Sequence, residues 1–431
     1  MKQIFDSLRE KLRTSLWPLP ALITLGCLAL SQVALTLDDI AALKSFSERF
    51  LSVSESSLQN ILTAIASSVV SFGGVVLSMT MVSMTLASGQ FGPKVLREYL
   101  NNSFAKITLG LFIGTFVYCI VTLATLRAVT LPGLTVLIAL ALALLSFMLF
   151  VIFIHHTTQS LQADRIVRTI ALQLDTALKN YCDNRQTSDK PLLIREWREV
   201  AARRERVAIR AIKSGYLESI DCASVERTLF AQDAMLDILC RPGEFLIEGQ
   251  IIANMYLKNG SDCEDEIRDQ FLISPLRTPI QDPDFAIDQI NQIAERALSP
   301  GINDPGTAIT CVDWLVSAVA TIMDKDLPGP LYCSREEDAR IMRKRMDFNE
   351  LFDASFISLR VHARGSLQVI LRLIDACGTL AGYTRRQDRL AKLRELLGSL
   401  AYTCLDDSHC PQDAQRLRAA LKRAENAIEQ P

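Results

Sequence analysis

Apolar positions run almost uninterrupted through the first third of the chain and become periodic after it. The clearest run, Leu131 to Ile154, holds no charged residue. At a rise of ~1.5 Å per residue such a helix outreaches a ~30 Å hydrocarbon core. It leads straight into His155-His156 and then a charged, amphipathic stretch, so it reads as a stem joining a membrane half to a water-soluble half. Three more runs precede it: Thr14 to Leu37, Ser56 to Pro93 and Ile107 to Leu126. Pro18 and Pro20 suit the first turn of the first run, where no intrahelical N–H bond is lost. The expected spans are about 16–37, 61–87, 107–126 and 131–154, which makes residues 1–158 a four-helix transmembrane domain. The basic start before Thr14 also fits a signal peptide, but no Ala-x-Ala cleavage site follows, so an uncleaved anchor is expected.

Within the spans, small and hydroxylated residues recur. Ser67, Ser71, Gly74, Ser78 and Thr85 fall near a 3.5-residue repeat, and Gly110-x-x-x-Gly114 marks one side of the third span. Small side chains let helix backbones approach, so helix packing is one reading; the lining of a polar path or pore is the other.

Beyond the stem the periodicity changes. Leu161, Ile166, Ile170, Leu174 and Leu178 follow a helical repeat and open a helical linker over 159–206, whose end carries Arg195, Arg198, Arg203, Arg204 and Arg206. Those cations suit either anionic lipid or a solvated face paired with Glu196, Glu199 and Glu205. Short β-rich runs broken by Ser214-Gly215 and Arg241-Pro242-Gly243 predict a small β module over 207–260, with a helical insert near 224–234. The pattern SGYLESID…CRPGEFLIEGQIIANM resembles lipoyl- and biotinyl-like barrel-sandwich modules, without the Met-Lys attachment dipeptide of carriers. Residues 261–325 predict a helical pair, Asp284–Leu298 and Pro305–Met323, joined at a Ser-Pro-Gly-Ile-Asn corner. Each helix begins Asp-Pro, an N-cap followed by proline at the first helical position. Residues 326–431 open with a Pro/Gly linker and then read as helices over Arg335–Phe352, Ser355–Leu380, Thr384–Tyr402 and Pro411–Glu429. The fold class is therefore membrane α-helical with four transmembrane helices, plus a cytosolic α+β region with a barrel-sandwich-like module and a C-terminal helical bundle.

Charge sets the orientation. Nine cations (Lys2, Arg9, Lys11, Arg13, Lys94, Arg97, Lys106, Arg165, Arg168) flank one side of the spans and three (Lys44, Arg49, Arg127) the other. By the positive-inside rule both termini lie in the cytoplasm of a multi-pass inner-membrane protein. The net charge of −2 gives no basic stripe for nucleic acid. Eleven cysteines, without a CxxC pair, are expected as small reduced residues. No ionisable residue lies mid-span, which disfavours an ion-coupled pump.

Candidate chemistry is sparse. Arg277, Thr278, Gln281, Asp282, Asn303 and Asp304 gather polar groups around two helix N-termini, a corner suited to a small-molecule or anion ligand; helix capping accounts for the aspartates without a ligand. His155 and His156 are weak metal candidates, because adjacent helical positions point ~100° apart. Cys404, His409 and Cys410 offer three soft ligands without a fourth by spacing. There is no GxSxG, P-loop, GxGxxG or HExxH motif, so no catalytic residue, metal or cofactor is nominated.

LASGQFGPKVLREYL (Leu86–Leu100), GLFIGTFVYC (Gly110–Cys119), the His155-His156 exit, SGYLESID, RPGEFLIEGQ, RTPIQDPDFAIDQI and ALSPGINDPGTA occur in this order up to about residue 325. Together they resemble a bacterial family of predicted membrane proteins, domain of unknown function 2254. Where that family typically has Arg-Pro-Gly-Asp, Glu244 stands here; where Phe-Gly-Ile-Arg is common, this chain has Phe285-Ala286-Ile287-Asp288, which reverses a charge in the candidate corner. The resemblance implies an integral membrane protein in contact with the lipid bilayer and carries over no shared activity. Three functional readings follow. The first is a non-enzymatic homo-oligomer whose cytosolic part senses a ligand or gates and assembles the membrane part. The second is a membrane-bound enzyme working at the Arg277–Ala308 corner, and the third a passive structural anchor.

Overall fold

The computed structural model describes residues 17–38, 55–91, 103–125, 133–160, 162–182, 187–188, 190–258, 263–279, 281–332, 339–405 and 410–429. The orientation-setting cations at positions 2–13, 44, 49, 94, 97 and 127, and the candidate ligand His409, lie outside these residues. The chain divides into two compact units, Met1–Arg165 and Ile166–Pro431.

The first unit is built of α1 (Pro18–Asp38), α2 (Glu55–Phe91), α3 (Ser103–Thr125) and α4 (Gly133–Ser160). All four carry a stretch long and apolar enough to cross a membrane: Pro18–Leu37, Ser56–Leu86, Phe104–Thr125 and Leu134–Gln159. Their ends lie within about five residues of the expected spans, with the largest departures at the start of the α2 run and the end of the α4 run. Helix α3 is the hub, packing on each of the other three. Its two glycines explain how α1 comes so close. A Cβ at Gly110 would lie 2.8 Å from the Pro20 Cα, and one at Gly114 would lie 2.7 Å from the Cys27 Sγ. Polar groups join α3 to α4: the buried Tyr118 hydroxyl donates to the Thr135 carbonyl at 3.0 Å, and Thr115 and Ser146 share a bond of 3.2 Å. Phe72 of α2 and Phe112 of α3 meet on the Phe150 ring of α4.

The rest of the bundle surface is apolar, with Leu22, Leu25, Leu144, Phe147, Met148 and Val151 exposed. Hydroxyls there turn back onto their own helices: Thr24, Ser67, Ser71, Thr80 and Thr85 donate to carbonyls three or four residues back. That arrangement meets the demand of a hydrocarbon solvent, which offers no partner to a bare polar group. Ser67, Ser71, Gly74, Ser78 and Thr85 all lie on an exposed face of α2.

The second unit begins with α5 (Ala163–Cys182), which buries Val167, Ile170, Ala171, Leu174 and Leu178. Two sheets follow. Strands β1 (Thr187–Ser188), β2 (Glu205–Arg210), β4 (Met235–Ile238), β6 (Ile251–Leu257), β8 (Leu331–Tyr332) and β9 (Ile341–Arg343) form one, in the order β1-β8-β9-β4-β6-β2. Its neighbours are antiparallel except β4 and β9. Strands β3 (Gly215–Ile220), β5 (Phe245–Leu246) and β7 (Phe271–Ser274) form the other, in the order β5-β3-β7. Side-chain alternation splits the larger sheet cleanly. Met235, Leu331 and Met342 pack with Trp197 of α6 (Pro191–Ala201) on one face. Leu236, Tyr332 and Ile341 join Val225 and Leu229 of α7 (Cys222–Ala231) and Ile267 of α8 (Glu264–Arg268) on the other.

The expected barrel-sandwich does not close. The module's strands are shared between two open sheets, and β8 and β9 arrive from beyond residue 325 to complete the larger one. Residues 341–343, inside a stretch read as helical, are therefore a strand, because their apolar side chains are wanted on both faces of a sheet rather than along one helical stripe.

Helices α9 (Pro283–Ala297) and α10 (Pro305–Ala320) form the expected pair, and α11 (Phe348–His362), α12 (Leu367–Ala381), α13 (Gln387–Leu405) and α14 (Pro411–Glu429) follow. The single helix expected over Ser355–Leu380 is broken between α11 and α12, where Gly365 takes φ +84°. Helix α9 packs on α10 and α11, and α12 packs on α10, α13 and α14.

The α1–α3 contact is testable. Gly110→Val forces a side chain into the Pro20 backbone and should destabilise the bundle by about 1–3 kcal/mol, the usual cost of overpacking. Gly26→Val, on α1 with open space around it, should leave the melting midpoint of the detergent-solubilised protein nearly unchanged.

Candidate functional site

The polar corner foreseen around Arg277 is an ion-pair cluster. Asp282 caps α9, accepting from the Phe285 N–H at 3.2 Å, and is itself buried. Arg277 holds it from the side, with Nε 2.6 Å from Asp282 Oδ2, Nη2 2.7 Å from Asp284 Oδ2 and Nη1 3.8 Å from Asp288 Oδ2. Its guanidinium also lies over the Phe285 ring. Burial works against the Arg277 charge, yet the adjacent Asp282 and Asp284 outweigh it and hold the group above its ordinary value. Three carboxylates around one guanidinium leave no positive surplus for an anion. The reversed charge at Asp288 contributes to that balance.

The two helix N-termini expected to form one corner do not meet: the Asp304 N–H donates to the Ala297 carbonyl, at the end of α9 away from Asp282, and the other sequence candidates have local tasks. Gln281 spans the end of β3: its Oε1 accepts from the Ile220 N–H at 3.1 Å and its Nε2 donates to the Ile220 carbonyl at 3.3 Å. Asp304 caps α10 through the Thr307 N–H at 3.1 Å and the Thr307 hydroxyl at 2.6 Å. Those bonds, the hydroxyl first, hold its carboxyl below the usual range. Asn303 is exposed at φ +48°, a left-handed position asparagine tolerates, and its N–H donates to the Ser299 carbonyl. Thr278 is buried, with no hydrogen bond to its hydroxyl. Of the histidines, His155 Nε2 lies 2.7 Å from Gln159 Nε2, and His156 stacks on Phe104. Among the described residues no group of three His, Cys, Asp or Glu side chains is placed to hold a metal.

The Arg277–Asp282 pair does shape a neighbouring cleft. The Arg241-Pro242-Gly243 turn rests directly on it: Gly243 has φ +92°, and a Cβ there would lie 2.1 Å from Asp282 Oδ2. On the other side of Asp282 opens a cleft of about 590 Å³ within the second unit. Its walls come from five places: the last turn of α5, the β3–α7 junction, the Arg241 turn, the start of α9, and β8 with β9 and the residues after it. This volume is in the range of small-molecule sites.

Sequence reasoning missed most of the chemistry in this cleft. Arg343, Lys344 and Arg345 enter from β9 and the residues just past it. Lys344 pairs with Glu244 at 2.9 Å, and Arg241 with Glu350 at 3.1 Å. Arg343 lies over the Tyr332 ring, 5.1 Å from its centroid, and its Nη1 is 3.5 Å from Cys222 Sγ. Arg345 lies over the Tyr181 ring at 3.9 Å and donates to the Tyr181 carbonyl at 3.0 Å. Asp221 caps α7, accepting from the Ser224 hydroxyl at 2.6 Å and the Ser224 N–H at 3.1 Å, and these bonds keep its carboxyl below the usual range. Burial pushes the Cys222 thiol up, against the pull of Arg343. The signal available in the sequence was the Arg343-Lys344-Arg345 run; in a strand, its first and third members share a side.

A family model described as a predicted membrane protein, DUF2254, matches residues 13–379. Curated relatives include uncharacterised proteins of Mycobacterium bovis and of two strains of Mycobacterium tuberculosis, each 25% identical over 362 residues. The alignment covers 81% of this chain and 65% of each relative, so the chain spans just under two thirds of the length of the curated relatives it matches. No solved structure matches the chain.

The ion-pair cluster carries a prediction with a defined pH sign. Arg277→Met leaves Asp282 buried without its counter-ion and should cost about 3–5 kcal/mol, as broken buried pairs do. Burial already holds the Asp282 carboxyl above its ordinary value against the pull of Arg277, and without Arg277 burial and the Asp284 charge raise it further, opposed by the Phe285 N–H. The neutral acid is then the favoured folded form, so the penalty grows as pH rises above the unfolded carboxylate pKa. Thermal melts at two pH values should show a large deficit near neutrality that shrinks as the pH falls toward 4.

Proposed function

This chain belongs to the DUF2254 family of predicted membrane proteins, and we propose that it works there as a non-enzymatic, homo-oligomeric ligand sensor of the bacterial inner membrane. The observation that carries this reading is the cleft of about 590 Å³ in the second unit. An occupant touches segments far apart in sequence, so binding changes their relative stability together. One of them, α5, follows the fourth span after only two residues, with α4 ending at Ser160 and α5 beginning at Ala163. Asn180 and Tyr181 of α5 line the cleft. A ligand held there bears on the helix that continues the chain out of the membrane.

Gln281 and Asp282 of the sequence-derived candidates line this cleft. Arg277 acts through Asp282, while Asn303 and Asp304 lie at the other end of α9, where the Asp304 N–H donates to the Ala297 carbonyl. The enzyme reading is less favoured, because the charges around Arg277 are matched and the Thr307 hydroxyl that meets the Asp304 carboxylate serves the cap of α10.

Self-association is supported by α2. Its small and hydroxylated stripe is exposed in the single chain, while the glycines of α3 are already used against α1. Small residues on an outward membrane-helix face suit close approach of a second copy. A passive pore is the second reading, favoured by the hydroxyl groups on that same face. The cation distribution supports both termini, and with them the second unit, on the cytoplasmic side.

Two outcomes follow. Light scattering in detergent should give an oligomer over a wide concentration range, and Ser71→Leu with Gly74→Leu should shift it to monomer at unchanged helix content; a monomeric wild type would remove the assembly reading. Protease added to sealed right-side-out cells should spare the mass beyond residue 160, and its digestion would reverse the orientation.

A further inference from the structure

We infer that the cleft is a phosphate site, in which Arg343 and Arg345 clamp the phosphate group of a small ligand. This inference rests on the sensor reading and names the chemistry of what is sensed. Arg343 ends β9 and Arg345 lies two residues past it, and both line the cleft. Each guanidinium is held before any ligand arrives. Tyr332 and Tyr181 lie under their planes, and bonds to Cys222 Sγ and the Tyr181 carbonyl fix one edge of each. A guanidinium stacked on a ring keeps its N–H fork in plane, the geometry that grips oxyanions through two parallel bonds. Little side-chain freedom is then left to lose on binding.

The pairing of like charges gives the second argument. Burial, together with repulsion from Arg343, pulls Arg345 below its ordinary value, against the opposing influence of Tyr181. An anion lying across both guanidiniums relieves that repulsion, and a doubly charged one relieves it most. A carboxylate offers two oxygens and one charge, enough for one fork. A phosphate offers three terminal oxygens and up to two charges, enough for both.

Other charged groups set the selectivity. Arg241 and Lys344 are drawn to Glu350 and Glu244, and Asp282 is held by Arg277. Asp221 lines the cleft as well, and its bonds from Ser224 favour the ionised form. An ionised carboxylate accepts a proton but has none to give. Inorganic hydrogen phosphate keeps two charges and still brings a hydroxyl for it; sulfate, with two charges and no proton at neutral pH, meets only repulsion there. The cleft should therefore prefer phosphate to sulfate. Its volume exceeds what a bare phosphate fills, and Ala177, Pro242, Pro283 and Met346 supply apolar wall for the body of a phosphorylated small molecule.

The test uses the full chain in an uncharged detergent, melted at constant ionic strength in inorganic phosphate, pyrophosphate or sulfate. Phosphate or pyrophosphate should raise the midpoint saturably, by about 3–6 °C at ten times Kd, with sulfate far less effective. Arg343→Gln with Arg345→Gln should abolish the rise. Should that variant fold poorly, Asp221→Asn keeps a competent helix cap and should lose the preference over sulfate. Nanodiscs of neutral lipid with and without phosphatidic acid separate the two sources of the group. A rise only with phosphatidic acid assigns the phosphate to a lipid headgroup, and a rise with the free anions assigns it to a soluble ligand. No saturable rise in any of these conditions, or an equal rise in the double variant, overturns the inference. A saturable rise with no change in proteolytic protection of α5 keeps the phosphate site and removes the sensing.

Discussion

Hydrocarbon supplies no hydrogen bonds, and that single constraint organises the first unit. Every polar group carried into the spans has to find its partner inside the protein. On the outer surface the hydroxyls of Ser67, Ser71 and Thr85 turn back onto their own helix. Inside, Tyr118 reaches the Thr135 carbonyl and Thr115 meets Ser146, so the same chemistry joins neighbouring helices. Apolar matching cannot choose one helix pairing over another where lipid is as apolar as leucine. Shape and these few bonds make the choice, and Gly110 and Gly114 make it for α1.

In the second unit water is the solvent, and burial of a charge takes over as the deciding cost. Asp282 is buried because it caps α9. Arg277 offsets the desolvation, and Gly243 lets the Arg241 turn settle against the pair. The pair thereby fixes one wall of the cleft. Its opposite wall follows from the larger sheet, whose parallel β4–β9 pairing brings the residues after β9 alongside the Arg241 turn. The cleft thus lies where a capped helix, a tight turn and a late strand meet, and no one of them makes it alone.

This explains what could be read in the chain beforehand. The four spans were legible because continuous apolar runs have few alternatives, and the starts of α9 and α10 were legible because Asp-Pro specifies both the cap and the first turn. The polar corner was not legible as one place, because Arg277 and Asp282 meet at the start of α9 while Asp304 lies at its other end, and the pairing of Arg277 with Asp282, Asp284 and Asp288 depends on side-chain direction. Strand β9 was illegible for another reason. With apolar side chains on both faces, Ile341-Met342 shows no alternation, and its charged surroundings resemble a helix surface. The cleft went with it, because Arg343 and Arg345 become neighbours of Tyr332, Tyr181 and Cys222 only once β9 is placed in the sheet.

Two departures from the family's usual pattern fall on either side of this arrangement. Asp288 adds a third carboxylate around Arg277 and removes any attraction for anions at the corner. Glu244, one methylene longer than the aspartate common there, reaches Lys344 at 2.9 Å and lies 3.6 Å from Arg241. It draws those two cations toward the rim, so the character of the inner wall is set by the stacked guanidiniums of Arg343 and Arg345. Both changes act in the same direction. They match the positive charge at the corner and the rim with carboxylates and leave the cleft's basic character to the two arginines beside Tyr332 and Tyr181.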